Sequence, residues 1–209
     1  MVQMLKHTFI FICTFFLVGC NQSAKSPYQF LLRHNISPPS QHSFTHCRGY
    51  GCAIKDKISL TDPEWTLITA PLKNRRSDAR QERKALAHVI QNFENIIGTK
   101  NGTNNDLGGT FNFSSKSNQH DCVDETINTT TYLTLLFQKR LLYWHNVSQP
   151  QTRVPWAGSG LWPHQSALIV EKSSQTRYVV DSWFHDNGQP PEIIQLDLWK
   201  TGWKPSSLK

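Results

Sequence analysis

Apolar positions along the chain fall into blocks of different period. Leu86, Val89, Ile90, Phe93, Ile96 and Ile97 recur at three- and four-residue steps. That spacing predicts an amphipathic helix over 77–97, capped by Ser77 and stopped by Gly98. Its other side carries Arg76, Arg80, Arg83 and Lys84, which read as a solvated face. Residues 132–137 are almost wholly apolar and belong to a second helix, running from Cys122 to about Gln138. A helix apolar on more than one face is expected at the centre of a domain. Thr129, Thr130 and Thr131 are weak helix formers, so tertiary packing must hold it. Two runs of β-formers follow, 164–170 and 177–183, across a polar turn at Ser173 and Ser174. They predict an antiparallel hairpin. Residues 65–70 read as a short strand, and 190–209 as a closing strand or short helix without chemistry. Helices and a hairpin in this order predict an α+β domain.

One apolar block stands apart. Lys6 and His7 precede an uninterrupted run over 8–18, about half of the ~20 residues that a bilayer span needs. It reads as the core of a signal peptide. The run ends in Leu17-Val18-Gly19-Cys20, which resembles the lipobox of bacterial lipoproteins. The resemblance implies cleavage after Gly19 and lipidation of Cys20, so the expected partner is a membrane reached through a lipid anchor and the expected location is the bacterial cell envelope. Residues 1–19 are then the signal peptide. The segment 20–46, rich in Ser, Gln, Asn, His and Pro, reads as the lipidated cysteine and a tether. The domain proper is expected over 47–209.

Composition narrows the function. An apolar fraction of 38% over 209 residues suffices for one globular core. The net charge of +7 points, for an exported protein, to anionic envelope surfaces. No nucleic-acid motif is present, and nucleic acid is not an expected partner. With Cys13 lost in the signal and Cys20 lipidated, three thiols remain: Cys47, Cys52 and Cys122. An oxidising compartment favours a local Cys47–Cys52 disulfide around two glycines, leaving Cys122 free. A zinc site from His42, His46, Cys47 and Cys52 is the alternative.

Cys122 is where chemistry is expected. Asp121 is a good N-cap and Asp124 suits the first turn, so Cys122 falls at the first helical position. There the unpaired N–H groups and the helix dipole favour a thiolate. The turn-rich stretch 99–109 before it is expected to wall a cleft. Glu125 falls near the Cys122 face, where a carboxylate opposes thiolate formation and a facing imidazolium must outweigh it. The hairpin supplies one: its register can set His164, at the start of one strand, beside Asp181, near the end of the next. A thiol hydrolase needs this set, with the histidine taking the thiol proton and the aspartate orienting the ring. His120, His145 and His185 are rival bases. Trp162 and Trp183 lie two residues from His164 and Asp181, and both are expected to flank the site.

Cysteine at a helix start, histidine on a strand and aspartate on the next strand resemble the transglutaminase-like, papain-like superfamily of cysteine enzymes, over about residues 78–185. The resemblance implies a papain-like/transglutaminase-like core with a central helix on an antiparallel sheet. It implies Cys122 as nucleophile, His164 as base and Asp181 as orienter. Oxyanion donors would be the Cys122 backbone N–H and the Gln119 side chain. The expected activity is thiol-dependent acyl transfer, as an amidase or peptidase on a peptide or peptidoglycan stem. It calls for no cofactor and no metal. The alternatives are a protein-crosslinking transglutaminase and a non-catalytic envelope lipoprotein that only binds in the cleft.

Overall fold

The computed structural model describes residues 26–74, 78–111, 117–154 and 163–206. The signal peptide, Cys20 and Trp162 lie outside them. The described chain mixes helix and sheet: five α-helices and two antiparallel sheets. The helices are α1 (Pro27–Arg33), α2 (Asp62–Thr69), α3 (Ala79–Asn101), α4 (Cys122–Gln138) and α5 (Leu196–Lys200). Strands β1 (Phe44–Arg48) and β2 (Ile54–Ile58) pair alone. Strands β3 (His145–Arg153), β4 (His164–Glu171), β5 (Arg177–Asp181) and β6 (Glu192–Gln195) form a sheet in that order.

Helix α4 lies at the centre, as its sequence requires. Every residue from Asp124 to Leu136 is buried. Its Tyr132, Leu133, Leu135 and Leu136 share a core with Leu86, Val89, Ile90, Phe93 and Ile97 of α3 and with Ala167, Ile169 and Val180 of the sheet. Leu168 and Val179 point the other way, onto Leu196 and Trp199 of α5. The β4 run 167–170 is therefore apolar without alternation because both faces of the strand are covered.

Several expected boundaries move. Residues 65–70 lie in or beside a helix. Thr61 and Glu64 close a capping box with Pro63 in the first turn, and these start signals outweigh the β-branched run behind them. Helix α3 is capped by Asp78, runs through Gly98, and ends at left-handed Gly102. Arg83 is not solvated. It pairs with Glu171 at 2.7 Å and lies over the Tyr178 ring. The tether expected over 20–46 is not free chain in its described part. Phe30, Leu31 and Ile36 are buried against Cys47, Cys52 and Ile127, and Phe44 already belongs to β1. Their apolar area is what docks them.

Cys47 and Cys52 are joined by a disulfide, which removes both thiols from a zinc site. The bridged loop is fastened to α4. The Asn128 side chain bonds the Cys47 N–H at 2.7 Å and its carbonyl at 2.8 Å. Asp124 accepts from the Tyr50 and Cys52 amides at 2.9 and 2.7 Å. Burial and the Asp121 charge push the Asp124 carboxyl up to about 7.

Candidate active site

Three elements converge on Cys122. Asp121 caps α4, accepting from the Val123 and Asp124 amides, while Asp124 reaches back to the Asp121 N–H. This reciprocal box fixes the helix start and so the position of the Cys122 side chain. Cys122 is the one free cysteine among the described residues and is partly exposed. Its sulfur faces the Gln165 backbone N–H, one residue beyond His164 at the start of β4.

His164 is buried, and its Nε2 lies 2.8 Å from Asp181 Oδ2 at the end of β5. An ionised carboxylate only accepts, so the ring proton sits on Nε2 and Nδ1 is left as an acceptor. Nδ1 is buried and has no partner. Trp183, Phe184 and Trp199 surround the ring, with centroids 4.7, 5.5 and 5.5 Å away. Trp183 flanks His164 from the turn after β5. Its Nε1 donates to the Thr110 carbonyl at 2.9 Å, which ties the wall loop to the site. The loop also approaches through Gly108, where a Cβ would stand 2.5 Å from the His185 carbonyl carbon. Only glycine fits there.

The thiol departs from expectation. Burial, then the charges of Asp121 and Asp181, push Cys122 up to about 11, against the Gln165 and Cys122 backbone N–H groups. The helix N-terminus does not by itself make a thiolate here. Glu125 is not among the causes. It turns inward, accepting from Ser182 Oγ at 2.7 Å and approaching His120 Nδ1 at 2.9 Å.

The rival bases all have other partners. His120 lies between Asp106 and Glu125. Burial lowers its affinity for a proton, but the two carboxylates raise it well above the usual histidine value. His145 bonds Glu82, and His185 bonds Glu192 at 3.0 Å. Gln119 turns into its own loop. Its side-chain amide donates to the Asn105 carbonyl at 2.9 Å and accepts from the Leu107 N–H at 3.1 Å. It braces the loop.

Two residues at the site had no sequence signal. Trp199 of α5 donates its Nε1–H to Asp181 Oδ2 at 2.7 Å, so the C-terminal segment reaches the His164–Asp181 pair. Arg153, the strand partner of His164, stacks on Trp199 and bonds the carbonyls of Trp199 and Trp203. Burial lowers its pKa while the Asp181 and Cys122 charges oppose that shift, which puts a cation within electrostatic reach of the thiol.

No family model, curated protein or solved structure matches the chain.

Proposed function

We propose that the protein is a thiol acyl-transfer enzyme of transglutaminase-like or papain-like architecture, held on the bacterial envelope by lipidated Cys20. The observation that carries this reading is the buried His164 ring. Its Nε2 is fixed on Asp181 and its Nδ1 has no partner, beside a helix that begins with the free Cys122.

The resting thiol is protonated at neutral pH, so attack needs a base. His164 Nδ1 takes the Cys122 proton as the sulfur adds to an amide carbonyl. The Cys122 N–H holds the developing oxyanion. The imidazolium, steadied by Asp181, returns its proton to the leaving amine as the C–N bond breaks. Water, activated by the same ring, then hydrolyses the thioester. The substrate class proposed is an amide of a peptide or peptidoglycan stem, which an envelope address and a positive charge both suit.

The test uses the full chain in detergent with peptidoglycan stem peptides, following new amines. Wild type is expected to release them, and Cys122→Ala to lose at least ~10⁴-fold in rate. Equal release by both proteins ends the reading. The protonated thiol favours a second reading, a cleft that only binds. Under it, neither protein hydrolyses the peptides and both bind them alike.

A further inference from the structure

Behind the Cys122 helix, four chain segments bring acidic groups to one buried place. Asp106 comes from the loop after α3, His120 from the approach to α4, Glu125 from α4 itself, and Glu94 from α3. All four residues are at most 9% exposed. Asp106 Oδ2 lies 3.1 Å and Glu125 Oε1 2.9 Å from the same atom, His120 Nδ1. The three donor atoms lie within 4.8 Å of one another.

Hydrogen bonding alone serves this group poorly. Nδ1 carries at most one proton, yet two carboxylates converge on it. As an imidazolium, His120 would also hold a charged N–H at Nε2, which is buried without a partner. An unpaired charged donor costs more than a neutral one. Glu94 supplies an independent sign. One of its oxygens accepts from the Gly188 N–H at 3.1 Å. The other, Oε1, is buried with no partner, and burial, then the Glu125 charge, pushes this carboxyl well above its usual value, with His120 and Asp106 also within electrostatic reach. Tyr132 Oη is buried without a partner too, under the charges of Glu94 and Glu125. No lysine or arginine among the described residues pairs with these carboxylates. Two buried acids thus share one imidazole, with the Glu94 carboxyl behind them, where buried charge needs compensation.

We propose that Asp106, His120 and Glu125 form a buried divalent-cation site overlooked by the Glu94 carboxyl, with Zn²⁺ as the ion its nitrogen-and-carboxylate donors suit. Ligands ~2.1 Å from one ion and 90–109° apart are separated by about 3.0–3.4 Å, close to the two separations at Nδ1. Binding displaces the Nδ1 proton to solvent and offsets the two carboxylate charges that converge on that atom. The ion would tie α4 and the wall loop together two residues ahead of Cys122. The proposal does not depend on Cys122 being catalytic.

The test is metal content and Zn²⁺ titration of the full chain in detergent, before and after chelation. Wild type and Cys122→Ala, which lacks the free thiol, are each expected to take up about one Zn²⁺ and to melt at a higher temperature with it. Glu94→Gln can keep the Gly188 bond and fold, but is expected to bind at least ~10-fold more weakly. A folded wild type that takes up no Zn²⁺ would show a histidine–carboxylate network only, and overturns the proposal. So does unchanged affinity in a folded Glu94→Gln, which places the ion elsewhere. So does a preference for Ca²⁺ over Zn²⁺.

Discussion

His145–Glu82 and His164–Asp181 are the same chemical pair in two settings. Each is buried, and each has an N···O distance of 2.8 Å. At His145 the other ring nitrogen faces Arg83 Nη1 at 3.0 Å. Arginine only donates, so Nε2 accepts, and the ring bridges Arg83 and Glu82 through its Nδ1–H. Glu82 meanwhile takes the amides of Tyr143, Trp144 and His145. Both ring nitrogens are used, and the pair clamps α3 to the start of β3. At His164 one nitrogen is left over, and the Cys122 sulfur faces the backbone N–H of the next residue, Gln165. A histidine–carboxylate pair is therefore not a functional signal in itself. The unused lone pair is what sets His164 apart.

This difference should separate by measurement. Asp181→Asn leaves a side chain of the same shape but replaces the acceptor-only carboxylate with a neutral amide, removing the charge that fixes the His164 tautomer. If the reading is right, the rate of amide cleavage falls by about 10⁴-fold, with little change in urea midpoint. His164→Ala should be at least as severe. A large loss of stability with activity per folded molecule intact would make His164–Asp181 a second clamp.

The opposite outcome is expected for Glu82→Gln: unfolding free energy drops by about 3–5 kcal/mol and the rate per folded molecule holds. This effect should depend on pH. Burial pushes the Glu82 carboxyl up, but His145 and the Trp144 and Tyr143 amides bring it below its usual value. A group depressed in the folded state contributes fully above its unfolded value, near ~4.3, and loses that contribution as pH falls through the folded value. The gap between wild type and Glu82→Gln should be constant above about pH 5 and close toward pH 3. A gap that ignores pH would show that the anion is not what matters at this clamp.

The legible parts of the fold were those with local rules. The Asp121 cap, the α3 periodicity and the hairpin carrying His164 and Asp181 could all be read from spacing. Helix α2 is legible through Thr61, Pro63 and Glu64, but the β-branched residues behind them favour a strand by propensity alone. Strand β3 was not seen, since glutamines and Pro150 break its alternation. The acidic residues buried on α3, Glu82 and Glu94, contradict the hydropathy pattern that placed the helix. Their partners come from 61 to 94 positions away, and no local rule reaches that far. The docking of α1 and the turn of Gln119 into its own loop depend on tertiary packing in the same way.

Trp199 is the finest test of the comparison. Glu82 is held by three backbone amides as well as its histidine, whereas Asp181 Oδ2 has His164 Nε2 at 2.8 Å and Trp199 Nε1 at 2.7 Å. The indole shares the oxygen that the histidine uses, so it aims the carboxylate without touching the reacting atoms. Trp199→Phe keeps most of the apolar ring that fills the α5 contact but removes the donor. Losing one hydrogen bond to a charged group costs about 1.5–3 kcal/mol. Part of that would appear in the transition state, so kcat is expected to fall by roughly 10-fold, or ~1.4 kcal/mol, while KM stays put. Mere packing damage would instead lower the melting temperature and leave kcat unchanged in the folded fraction. In that case the open Nδ1 of His164 would need no positioning beyond Asp181 itself.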